Sequence, residues 1–192
     1  MSGDESLKAI LFATCTALVA QPAAADPFLD AMTAAIEAYQ DGDMVYAQDE
    51  LNEAQRLLAA MKADGLSAYL PDAPDGWTRE IDTEANAMMA MLGGGTSANA
   101  TYSGPEGSFT INLIADSPMV AQMAMMLGNN AMVTQMGGQI ERINRVRFLR
   151  DDDSLQAIIA NRILVQAEGA DPDVTIPLLE TMDFRAMESF GG

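Results

Sequence analysis

Residues 140–167 read IERINRVRFLRDDDSLQAIIANRILVQA. Four short apolar segments stand in this stretch: Ile140–Ile143, Val146–Leu149, Leu155–Ala160 and Ile163–Ala167. Asn144-Arg145, Asp151-Asp152-Asp153 and Asn161-Arg162 separate them, and Asn and Asp tolerate the backbone conformations of tight turns. The stretch therefore predicts a four-strand antiparallel meander.

Upstream, Ala98–Ser103 and Ser108–Ala115 predict a hairpin across Gly104-Pro105-Glu106-Gly107, with Phe109, Ile111 and Leu113 alternating. Between hairpin and meander, Ser117 stands as the N-cap of a helix that begins at Pro118 and runs towards Gln135, with a break at Gly128-Asn129-Asn130. Asp171-Pro172 opens a C-terminal helix whose apolar side carries Ile176, Leu179, Met182 and Met187. A further short helix is expected over 83–92, ended by Gly93-Gly94-Gly95. No phosphate-binding pattern surrounds that glycine run. Two strands, a helix, a four-strand meander and a closing helix describe an antiparallel sheet with helices packed on it, an α+β fold.

Residues 27–70 read as two helices. Phe28, Met32, Ile36 and Tyr39 recur at helical spacing after Pro27, and Ala47, Leu51, Ala54, Leu58 and Met61 do so in the second helix. Asp41-Gly42-Asp43 supplies a helix stop and a fresh N-cap, so the two should lie antiparallel and bury these stripes together. Gly42-Asp43-Met44-Val45-Tyr46-Ala47, with Leu51 and Ala54, resembles the second half of a tetratricopeptide repeat over residues 29–56. No second copy follows, so a lone helical hairpin docked on the sheet is expected. The resemblance implies protein–protein contact. Pro71-Asp72-Ala73-Pro74-Asp75-Gly76 marks a linker, and Trp77 anchors the unit that spans 77–192. By the order of its elements, residues 77–190 are similar to the PsbP-like α+β sandwich, which implies an accessory role in a larger assembly.

Residues 1–25 have the layout of a secretory signal. Lys8 precedes an apolar run from Ala9 to Ala20, and Gln21-Pro22 leads to Ala23-Ala24-Ala25, with cleavage expected after Ala25. Asp4 and Glu5 depart from the usual positive start. The run is shorter than the ~20 residues that span a bilayer, so no stable membrane anchor is expected after processing. Cys15 lies in the run and leaves with it. What remains is a periplasmic or secreted chain of 167 residues, with 26 acidic and 9 basic side chains and a net charge of −17. Such a surface repels phosphate backbones, which argues against nucleic-acid partners.

The chain has no histidine, and with Cys15 gone no thiol remains; Lys62 is the one lysine left. Catalysis by triads or dyads built on those residues is excluded, and the chain reads as a non-enzyme without cofactor. Asp41-Gly42-Asp43 fails the EF-hand pattern, because Val45 and Asn52 stand where an oxygen ligand and the closing Glu are required. Methionine is the anomaly, with 15 in the chain. Met88 and Met91 stand three apart, and Met119, Met123 and Met126 share a helical face. Thioethers are soft ligands for Cu(I), so these five form one candidate metal site; core packing or an adaptable contact surface explains them as well. The helix 118–127 has a single polar residue, Gln122, and should be covered on every side by the hairpin, a partner or an apolar ligand. Arg142, Arg145, Arg147 and Arg150 form the one basic strip. On strands, Arg145 and Arg147 would share a face opposite Val146 and Phe148. Met119, Met123, Met126, Arg145 and Arg147 are thus the expected partner contacts of a binding or accessory protein, with Cu(I) handling or carriage of an apolar ligand as alternatives.

Overall fold

A computed structural model describes residues 26–82, 94–105, 107–127 and 138–191. The expected export segment, the helix expected over 83–92 with Met88 and Met91, and the expected continuation of the methionine-rich helix past Leu127 lie outside the described residues.

Two helices, α1 (Pro27–Asp41) and α2 (Met44–Ser67), open the chain. Asp26 caps α1 by accepting from the backbone N–H of Phe28 and Leu29, and Asp43 caps α2 by accepting from that of Tyr46. Gly42, at φ 82°, closes α1 in the left-handed conformation that glycine adopts without strain. The helices pack on each other as expected, with Ala47 and Ala54 of the expected α2 stripe buried, but α1 packs through different residues. Ala31, Ala35 and Ala38 of α1 and Ala47 and Ala54 of α2 are the buried ones, while Ile36, Tyr39, Leu51, Leu58 and Met61 stay exposed. Small side chains let the two backbones approach closely. The larger residues are thereby pushed to the flanks of the contact.

Among the described residues seven antiparallel strands follow: β1 (Thr78–Asp82), β2 (Thr96–Gly104), β3 (Gly107–Ala115), β4 (Gln139–Ile143), β5 (Val146–Asp151), β6 (Ser154–Ile159) and β7 (Ile163–Glu168). Their order in the sheet is β1-β2-β3-β7-β6-β5-β4. After β3 the chain forms helix α3 (Pro118–Leu127), enters the far edge at β4, and meanders back until β7 pairs with β3. Helices α4 (Pro172–Leu179) and α5 (Phe184–Met187) close it. The fold is α+β, and the four-strand meander is the one expected. Its last turn begins one residue earlier than expected, since β6 ends at Ile159, with Ala160 and Asn161 at φ 50° and 56°. β1 is an addition, and charge hides it: Arg79, Glu80 and Asp82 occupy three of its five positions, as suits an edge strand.

One sheet face holds the core. Ala98, Ala100, Tyr102, Phe109, Ile111, Leu113, Phe148, Leu155, Ala157 and Val165 meet Leu66 at the end of α2, Leu178 and Leu179 of α4, and Phe184 and Met187 of α5. The single C-terminal helix expected is in fact two, since Asp183 starts a new one by accepting from the N–H of Ala186. The segment between α2 and β1 is fastened to the sheet: the Tyr102 hydroxyl donates to the Pro71 carbonyl at 2.6 Å, and Arg79 Nη1 donates to Leu70 and Pro71 at 3.0 and 2.8 Å. Tyr69 adds an edge-on contact with Phe190. Among the described residues, the hairpin thus joins the core cluster through the end of α2.

The second sheet face is divided. Asn99, Asn112, Gln166 and Gln156 stand in register across β2, β3, β7 and β6, and the same row continues into Leu149 and Ile140 on β5 and β4. Along this row amides occupy β2, β3, β7 and β6, and apolar side chains occupy β5 and β4. Helix α3 lies on this face in contact with β6, with Val120 only 1% exposed. Ser117 caps it by accepting from the N–H of Met119.

Candidate binding surfaces

Three places on the molecule have the chemistry of a binding surface. The first is the hairpin. Leu29, Ile36, Tyr39, Met44, Val45, Tyr46, Leu51, Leu58 and Met61 are between 39% and 75% exposed. Leu29 and Ile36 are seven apart on α1, as are Leu51 and Leu58 on α2, so each pair lies along one helix face. Among residues 27–67, eight acidic side chains stand against Arg56 and Lys62. The surface is therefore apolar with an acidic surround.

The second is a cleft between α3 and the strands β4–β6, with a volume of about 320 Å³. Ala124 forms one wall, Ile140, Leu149 and Ile158 are among its apolar lining, and Arg145 and Arg147 are its cations. Among the described residues, Glu188 is its one carboxylate. Arg147 projects from β5 on the face opposite Val146 and Phe148, as expected. Arg145 does not share a strand with it. With Asn144 it forms the β4–β5 turn, at φ 48° for Asn144 and 69° for Arg145. Asn144 Nδ2 fixes that turn by donating to the Glu180 carbonyl at 2.6 Å. Arg150 leaves the strip, since it lies in register with Leu155 on the core-side face and reaches towards Asp171 and Asp173 at 3.9 and 3.5 Å. Arg142 lies directly across from Arg147.

The methionines are only partly brought together. Met119 and Met123 stand one turn apart on α3, Met119 48% exposed and Met123 half-buried. Met126 belongs to the last turn of the same helix, while Met88 and Met91 lie outside the described residues. Nor is α3 covered all round: Met125 is 74% exposed, and Ala121 and Gln122 also face solvent. Among the described residues no group of three His, Cys, Asp or Glu is placed to hold a metal ion.

The third place is a pocket of about 440 Å³ under Trp77, shared with Pro74, Phe109, Val174, Pro177 and Leu178, with Asp72 and Asp173 at its rim. The indole lies against Gly104, where an added Cβ would meet its Cδ2 at 2.2 Å, and its centroid is 5.3 Å from that of Phe109. The isolation of Trp77 after a Pro/Gly-rich linker signalled an anchor. Nothing in the sequence signalled the pocket beside it, because Val174, Pro177 and Leu178 arrive from α4, about a hundred residues later.

Away from these surfaces, Asp116 and Arg162 form a two-pronged ion pair at 2.8 and 2.9 Å, which ties the end of β3 to the β6–β7 turn. The guanidinium beside it holds the Asp116 carboxyl below the usual carboxylate range. Among the described residues, no helix is long and apolar enough to cross a membrane. No family model, curated protein or solved structure matches this chain.

Proposed function

We propose that this chain is an exported, non-enzymatic accessory protein that holds another protein through the outer faces of its helical hairpin. One observation carries the reading: α1 and α2 pair through alanines and leave nine large apolar side chains at the surface. Single exposed apolar residues are ordinary, but a concentration of this kind on one projecting unit marks a contact surface. A second copy of the chain suits it poorly, because two acidic hairpins repel each other. A partner with an apolar strip flanked by Lys or Arg is complementary. Such steering makes association fast at low salt and slower as salt rises.

The test places a photo-crosslinking residue at Ile36 or Val45 in the source cell, with Glu180 as a control position. The expected product is one discrete adduct from the hairpin positions and none from the control. Ile36→Ser with Leu51→Ser should remove that adduct at unchanged melting temperature. Crosslinks to a second copy only, or none at either hairpin position, would sink the proposal.

A further inference from the structure

We propose that the cleft between α3 and β4–β6 binds a small amphiphilic anion, a carboxylate or phosphate group on a short alkyl chain. The proposal is independent of the hairpin surface.

The lining has two halves with different chemistry. Ile140, Leu149 and Ile158 with Ala124 offer an apolar bed, and Arg145 and Arg147 supply positive charge at the same cleft. Its volume, about 320 Å³, is at the small end of the ~300–1,000 Å³ typical of small-molecule sites. A single short chain with one charged group matches that size.

Two further observations point to an anion. The chain beyond residue 25 carries a net charge of −17 on 167 residues, yet Arg142 and Arg147 stand directly opposite each other across β4 and β5. Like charges in that register repel. Among the described residues, neither Arg142 nor Arg145 has a carboxylate within ion-pair distance. A protein with so many carboxylates has the means to neutralise these cations internally, yet among the described residues two of them have no carboxylate partner. Separately, the second position of a two-residue turn with positive φ favours glycine, and here it is Arg145 at φ 69°. The turn accepts local strain to place a guanidinium at the cleft. Glu188 lines the same cleft and sets a limit, because it opposes an anion that lies close to it.

Charge also chooses the source. An anionic bilayer is repelled by the whole molecule, whereas a monomeric amphiphile meets only the local field of the arginines. The ligand is therefore taken from solution.

Calorimetric titration with decanoate below its micelle concentration tests the proposal. The expected result is saturable 1:1 binding, with decanol at least tenfold weaker and decyltrimethylammonium weaker still. Arg145→Gly is the decisive variant: it relieves the turn, so its melting temperature should rise while decanoate affinity falls about tenfold. Ile158→Asn should weaken decanoate and decanol together. Equal binding of decanoate and decyltrimethylammonium, binding to phosphatidylglycerol vesicles but not to decanoate, or unchanged decanoate affinity in Arg145→Gly would overturn it.

Discussion

Tyr102 shows how much one buried polar atom fixes. Its ring stacks on Phe109 at 5.0 Å, its residue is wholly buried, and its hydroxyl donates to the Pro71 carbonyl. Burial pushes its pKa up to about 12, although the nearby Arg79 guanidinium pulls the other way. The folded state thus favours the neutral phenol. Stability from this group is complete below pH 10 and is lost as pH rises from 10 towards 12, at about 1.4 kcal/mol per unit. Alkaline titration followed by absorbance at 295 nm should show one of the four tyrosines ionising together with loss of near-UV circular dichroism. In Tyr102→Phe that step should vanish, at a loss of about 1 kcal/mol near neutral pH, because Arg79 still donates to Pro71. Ionisation of all four tyrosines below pH 10.5 without unfolding would contradict this account. Gly104 supports a second expectation at this scale. A methyl group there would overlap the indole of Trp77, so Gly104→Ala should destabilise by about 1–3 kcal/mol and shift the fluorescence of the only tryptophan. An unshifted spectrum would mean that the indole does not rest on Gly104.

At the scale of elements, the sequence was most legible where turns and caps speak for themselves. Asp43, Ser117 and Asp171 each accept from a backbone N–H at the start of the helix expected of them, and the meander has its four strands. Periodicity identifies the helices and, in α2, the buried Ala47 and Ala54, but in α1 it picks the wrong face. Hydrophobic size pointed to Ile36 and Tyr39, whereas close approach of the two backbones selected Ala31, Ala35 and Ala38. A pattern of apolar residues cannot separate these readings, since the alanines and the large residues recur at the same period. The distinction is testable. Ala54→Leu puts a branched side chain into the contact between α1 and α2 and should destabilise by about 1–3 kcal/mol in urea unfolding. Ile36→Ser, on the outer face, should stay within about 0.5 kcal/mol of the parent. If the ranking were reversed, the large side chains would be the ones that hold the hairpin together.

For the whole molecule, charge and layout must be read together. Arg145, Arg147 and the methionine-rich helix were each legible as surface features, but their meeting at one cleft was not. It depends on β4 occupying the far edge of the sheet, which follows from the pairing of β7 with β3 and not from any local pattern. The pocket under Trp77 was hidden for the same reason. Net charge is the opposite case, a property read in full from composition with a consequence for the folded state. The described ion pairs, such as Arg162 with Asp116 and Arg150 with Asp173, are substantially exposed and contribute little each. Repulsion among the excess carboxylates acts over the whole surface, and the Debye length falls from ~30 Å at 0.01 M salt to ~3 Å at 1 M. Screening should therefore remove more repulsion than attraction. A chain of residues 26–192 should melt several degrees higher in 0.5 M than in 0.01 M sodium chloride at pH 7, as measured by calorimetry. Arg162→Ala should keep most of that increase, because the dominant quantity is the excess of negative charge and not any one pair. A melting temperature that fell with salt would mean that local ion pairs outweigh the net charge of −17.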